Sequence, residues 1–166
     1  MTRRAPGPAC PRAGRRDAED RGVHAHPDSR SGCARAVIDA RVLLAVGGGA
    51  AIGGILRLLV TQFVVARFGA GFGQYATMFI NVSGSFLIGI VVELAQTRVG
   101  FPPLWRFFLA TGILGGYTTF STFSYEAFVL AADGLYASAA LYVVGSVVLG
   151  IGGAIGGIAL VRSLNH

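Results

Sequence analysis

The chain contains no lysine among its 166 residues. A Walker-type nucleotide site requires that lysine, so this class is excluded. No Gly-x-Gly-x-x-Gly spacing occurs among the 25 glycines, and there is no His-Glu-x-x-His. A dinucleotide fingerprint and a zinc-peptidase helix are therefore excluded as well. Cysteine is nearly absent. Cys10 and Cys33 both precede the first apolar run, and two such residues define neither a disulfide framework nor a zinc site. The histidines are His24, His26 and His166, whereas structural zinc needs four convergent ligands on a folded frame. Charge is scarce too: 13% of residues carry it, against roughly 25% in an ordinary soluble domain. Eight of the fourteen arginines precede residue 36, so the net charge of +6 describes that first stretch more than the rest.

Residues 1–36 are rich in Arg, Pro, Gly, Ser and Asp and show no hydrophobic period. They read as a disordered tail without a nucleic-acid partner. The tail has no apolar h-region and does not resemble a secretory signal. Its Arg and Ala content is also compatible with a true translation start further in. Residues 37–166 read as one membrane domain.

What the chain has in quantity is uninterrupted apolar length. Val42–Ala66 spans 25 residues with one charge, Arg57, and Phe68–Val92 spans 25 with none. Phe107–Tyr125 spans 19 before Glu126, and Gly134–Val161 spans 28 uncharged residues. A bilayer core of ~30 Å needs about 20 helical residues. The expected fold is thus an all-α integral membrane protein with four transmembrane helices, near 38–60, 75–97, 104–131 and 135–161. Turn chemistry separates them: Gly69, Gly71 and Gly73, then Pro102-Pro103, then Asp133-Gly134. Trp105 beside Arg106 suits a membrane–water interface. Four helices put both ends on one side, which receives Arg41, Arg98, Arg106 and Arg162 against Arg67 opposite. The positive-inside rule places that side in the cytoplasm.

The third span contains Gly115-Gly116-Tyr117-Thr118-Thr119-Phe120-Ser121-Thr122-Phe123. Paired glycines followed by β-branched threonines read badly as continuous helix, so this helix is expected to break at its centre. A break at membrane depth frees backbone groups that lipid cannot satisfy, so it must be buried in protein or face a polar pathway. The freed carbonyls at Gly115–Thr118 would suit a hard cation.

Polar stripes lie on one face of each neighbouring helix at i, i+4, i+8: Thr77, Asn81, Ser85 and Ser138, Tyr142, Ser146. Thr119, Thr122 and Glu126 share a face past the break. Single hydroxyls in such helices commonly bond their own backbone or join helices; two stripes beside a broken helix indicate a polar pathway. Phe120 and Phe123 would offer electron-poor ring edges to an anion, and Asn81 an amide N–H. Gly49/Gly53, Gly152/Gly156 and Gly153/Gly157 have the GxxxG spacing of close helix packing. Arg57 and Glu93 are expected to snorkel to the interface. Glu126 lies deeper and is a functional candidate. It lacks a nucleophile–base–orienter set, so the chain is not expected to be an enzyme.

Three stretches resemble the CrcB/Fluc fluoride channels: Gly112-Ile-Leu-Gly-Gly-Tyr-Thr-Thr-Phe-Ser-Thr-Phe123, Asn81-Val-Ser-Gly-Ser-Phe-Leu-Ile-Gly89 and Gly53-Gly-Ile-Leu-Arg57. The resemblance covers about residues 41–161. It implies a passive fluoride channel of the prokaryotic cytoplasmic membrane, built as an antiparallel, dual-topology dimer with two pores. It also implies a structural sodium ion held by the carbonyls of Gly115 and Thr118 from both subunits. The implied pore residues are Asn81, Thr77, Phe120, Phe123, Ser121, Thr122, Tyr142, Ser146 and Glu126, with Arg57 at a vestibule. Gly150 departs from the pattern, since some members carry a hydroxyl there. The Arg-rich tail favours one orientation, so the dimer would be a homodimer of a shorter chain or a heterodimer with an oppositely oriented paralogue. The alternative reading is a small four-helix, proton-coupled multidrug exporter using Glu126, and a third is a non-transporting assembly factor.

Overall fold

The computed structural model describes residues 39–98 and 100–165. The expectations for residues 1–36, including Cys10, Cys33, His24 and His26, and for His166 lie outside the described residues. Within them the chain is all-helical. Helix α1 runs Ala40–Phe68, started by the Asp39 side chain accepting from the Arg41 amide and ended by Gly69 at φ +102°. It continues eight residues past the expected end near 60. Thr61–Phe68 contains neither Gly nor Pro, so nothing stops the helix before Gly69. A short 3₁₀ turn, Ala70–Phe72, leads into α2, Gly73–Thr97. The last helix, α6, runs Tyr136–Leu164.

Three helical stretches are long and apolar enough to cross a bilayer: Ala40–Phe68, Ala70–Thr97 and Tyr136–Leu164. Their outward faces carry large apolar side chains, among them Leu44, Phe63, Phe79, Leu141, Val148 and Ile155. Such faces require lipid as their solvent.

Between α2 and α6 the path is helical but not regular. Short α3, Pro103–Arg106, passes into a π-wound segment, Phe107–Leu114, and then α4, Gly115–Tyr117. Helix α5, Phe120–Ala132, follows after an interruption. The interruption is at Thr118 (φ −76°, ψ 156°) and Thr119 (φ −147°, ψ 118°), both extended. The two glycines stay helical. They serve close packing instead: a methyl on Gly116 would meet the Ala50 backbone, with Cα at 2.8 Å. Gly53, opposite on α1, would meet the carbonyl of Ile113 and the amide of Tyr117. The broken segment therefore lies backbone to backbone against α1, and the threonines make the break.

Helices α2 and α6 pack in the same manner. A methyl on Gly157 would collide with the Phe86 carbonyl, and one on Gly153 would lie 3.0 Å from that of Val82. Gly152 has nothing within 4 Å. Of the two overlapping GxxxG pairs on α6, Gly153/Gly157 faces the helix interface. The snorkelling expected of Glu93 is corrected: its carboxylate is buried and takes the Arg162 Nε at 2.9 Å, joining α2 to α6.

Candidate functional site

One side chain satisfies both backbone groups of Thr119 at the break. Thr119 is extended, so its N–H and C=O point the same way, as in a strand. Asn81 on α2 presents an amide, the same group as a peptide. Its Oδ1 accepts from the Thr119 amide at 2.8 Å, and its Nδ2 donates to the Thr119 carbonyl at 3.0 Å. This exchange of both bonds copies the hydrogen-bonded pair of an antiparallel sheet. Asn81 is thus a one-residue strand partner inside a helical protein, and the backbone polar groups of buried Thr119 are satisfied.

The pairing has a consequence one turn back. The carbonyl of Gly115 would normally accept from the amide of Thr119, which is now bonded to Asn81. The carbonyl of Thr118 would accept from Thr122, whose amide instead caps onto Thr119 Oγ1 at 3.3 Å. Gly115 and Thr118 thereby both lose their helical partners. Arg57 does not snorkel outward as expected; its Nη1 donates to the Thr118 carbonyl at 3.4 Å.

A cavity of about 320 Å³ opens at the break. Asn81, Ser85, Gly115, Thr118, Thr119, Phe120, Phe123 and Ser146 line it, with apolar walls from Ile88, Leu114 and Val147. The two phenylalanines differ sharply, Phe120 being 79% exposed and Phe123 9%. Their ring centroids lie 5.8 Å apart at 45°. Ser146 Oγ is buried without a hydrogen-bond partner among the described residues. A buried hydroxyl left unpaired costs free energy, so it is poised to donate to a small guest. Ser85 donates back to the Asn81 carbonyl at 2.8 Å. A side chain added at Gly150 would begin 3.5 Å from its Oγ, so Ser85 supplies a hydroxyl beside the position where Gly150 has none.

A second cluster adjoins the cavity. Glu126 Oε1 accepts from Thr77 Oγ1 at 2.9 Å, and Oε2 from the Tyr142 hydroxyl at 2.6 Å. The Tyr142 ring packs against Phe123 at a tilt of 49°, centroids 5.2 Å apart. Phe123 therefore joins the cavity to the carboxylate, and each carboxylate oxygen already has a donor. Ser121 and Thr122 are exposed at the start of α5, tied to Thr119 Oγ1 at 3.3 and 3.1 Å. Ser138 is exposed and stands apart from Tyr142 and Ser146. The stripes gave no sign of a Ser83 to Tyr117 hydroxyl contact, 3.2 Å, which ties α2 to the segment just before the break.

Gly84 fixes the break from below. A methyl there would strike the Cγ2 of Thr118. Gly84→Ala is expected to lower stability by about 1–3 kcal/mol, the usual cost of over-packing, as thermal melting of the purified protein would show.

A family model described as "CrcB-like protein, Camphor Resistance (CrcB)" matches residues 44–158. The fluoride-specific ion channel FluC of Methylobacterium nodulans is 50% identical over 119 residues, covering 72% of this chain and 94% of that protein. Nitrobacter hamburgensis has two relatives. Its fluoride-specific ion channel FluC 1 is 43% identical over 129 residues, covering 74% of this chain and 96% of its own length. Its FluC 2 is 43% identical over 123 residues, with coverages of 74% and 97%.

Proposed function

We propose that this chain, which belongs to the CrcB-like family, is a fluoride-specific channel that lets the anion leave the cell passively. It is a multi-pass protein of the bacterial membrane and an ion channel, not an enzyme. The observation that carries the reading is the cavity at the break, where a buried Ser146 hydroxyl without a partner among the described residues shares the lining with the rings of Phe120 and Phe123.

The chemistry follows from the lining. A small anion entering the cavity gives up water. Ser146 Oγ–H can donate to it, and the rings can turn their electron-poor edges toward it. Asn81 uses one amide N–H and its oxygen on Thr119; its second N–H is left for a guest. Beyond Phe123, the hydroxyls of Thr77 and Tyr142 continue the polar path. The Glu126 carboxylate orients both of them while they hold its charge in place. Ser121 and Thr122 extend this path at the head of α5. Hydrogen fluoride enters cells as the neutral acid and dissociates inside, and the membrane potential drives the trapped anion out. The proton-coupled exporter is disfavoured, because its carboxylate must be free to exchange proton and cargo, whereas both oxygens of Glu126 are occupied.

The working unit is an antiparallel dimer in which each chain crosses four times. The pieces Pro103–Tyr117 and Phe120–Ala132 together make the third crossing. A second copy or an oppositely oriented paralogue completes it, and the pair of relatives in one Nitrobacter is in keeping with the latter. Sodium fits the break. The carbonyls of Gly115 and Thr118 are among those stripped of helical partners by the break, so they would hold the ion, which would neutralise oxygens that lipid cannot satisfy.

Liposomes containing the purified protein are expected to release fluoride and retain chloride. No fluoride flux, or equal chloride flux, would overturn the reading. Phe120→Ile and Phe123→Ile are expected to reduce the flux at least tenfold through loss of the ring edges. Resistance to organic cations without fluoride resistance in cells would favour the exporter instead.

A further inference from the structure

Arg57 sits near the middle of α1, where a charged side chain is costly and needs a partner. The ion pair found among the described residues joins Arg162 to Glu93, so Arg57 has no carboxylate there. Among the described residues its one hydrogen bond goes to the Thr118 carbonyl at 3.4 Å, long for a charged donor. A guanidinium carries five N–H donors and keeps its charge at all accessible pH. This cation is therefore held on a single weak acceptor. That acceptor is one of the carbonyl oxygens freed by the break.

We propose that Arg57 is a resident cation of the break, sharing the Thr118 carbonyl with the metal ion and setting how tightly that ion is held. The inference rests on the sodium reading above. It has two parts. Without the metal, Arg57 partly satisfies the freed carbonyl and supports the break. With the metal, two positive charges share one oxygen and lie within about 6 Å of each other, where like charges at an effective dielectric near 20 repel strongly enough to weaken binding at least tenfold. Arg57 thereby sets the sodium concentration at which the site fills.

The test is a sodium titration of thermal stability on the purified full-length protein in detergent, with N-methylglucamine as the replacing cation. Arg57→Gln and Arg57→Met are the neutral variants, the second preserving the aliphatic stem, and Arg57→Lys keeps the charge. Both neutral variants are expected to melt lower than wild type without sodium and to reach half-saturation at roughly tenfold less sodium. Arg57→Lys is expected to stay near the wild-type midpoint. An unchanged midpoint in both neutral variants would overturn the proposal and leave the sodium site standing. So would a raised midpoint, which would make Arg57 a positioning residue for the metal-binding carbonyl. If neither wild type nor any variant responds to sodium, the proposal and the sodium reading fail together. Fluoride efflux from the same preparations tests the channel reading separately.

Discussion

Asn81→Ala is expected to abolish fluoride flux and to lower stability by about 2–6 kcal/mol. The figure follows from what the substitution strands. Two hydrogen bonds to Thr119 vanish, and a buried backbone N–H and C=O are left without partners, each costing about 1–3 kcal/mol. Lipid offers such groups no replacement partner. The chain has one other way to satisfy Thr119, which is to wind Thr118 and Thr119 back into helix. That would return the Thr119 amide to the Gly115 carbonyl and close the cation site as well. Asn81→Asp should fail for a different reason. Asp accepts from the Thr119 amide but, when ionised, offers no donor to the Thr119 carbonyl and buries a charge. Asn81→Gln retains both groups on a longer stem and should be the mildest of the three. Stability read by thermal melting, beside efflux from liposomes, orders the variants. Ala and Asp variants as stable as wild type would show that the amide does not hold the break.

Much of this was legible in the residues, and the illegible part has a common cause. Apolar length gave the long helices, because bilayer thickness dictates it whatever the neighbours. The Gly115–Thr119 stretch announced an interruption, but propensity assigned it to the glycines as much as to the threonines. Tertiary packing decided otherwise: Gly116 is needed where the segment touches Ala50, so it stays helical. The stripe at Thr77 and Asn81 foretold a polar face, and the two residues bond Glu126 on α5 and Thr119 just before it. What spacing could not supply was the identity of each partner. Nothing local pairs Glu93 with Arg162, which are 69 residues apart, or sends Arg57 to Thr118, which is 61 away. Snorkelling was the sequence expectation for Arg57 and Glu93 because it needs no knowledge of neighbours. Ser146 and Ser138 looked equivalent on their stripe, yet Ser146 is buried and Ser138 exposed, a difference that spacing alone does not carry.

Gly53→Ala is expected to displace the broken segment from α1 and eliminate flux, although it adds a single methyl. The methyl would lie in the Ile113 carbonyl, 2.7 Å from the Tyr117 amide and 3.0 Å from the Gly116 carbonyl carbon. All three are backbone atoms, which no rotamer change can move aside. The segment must lift away, so the cost lies at or above the upper end of the roughly 1–3 kcal/mol of ordinary over-packing. Because Gly115 to Thr118 ride on that segment, the cavity and the freed carbonyls move with it. Gly157→Ala should be comparably damaging at the α2–α6 contact, where the Phe86 carbonyl and the Ile90 amide occupy the space. The decisive control shares the same motif. Gly152→Ala meets nothing within 4 Å, and Gly156→Ala meets only ring atoms of Phe86 at 3.8 Å and beyond. Both should keep near-wild-type flux, and the small gain in helix propensity of Ala over Gly, about 1 kcal/mol, should appear as equal or higher melting temperature. By spacing alone, Gly152/Gly156 and Gly153/Gly157 are indistinguishable. Opposite outcomes for the two pairs would establish this helix register. Equal outcomes would refute it, and a loss confined to Gly152→Ala would mean that another chain packs on the face that is open within one chain.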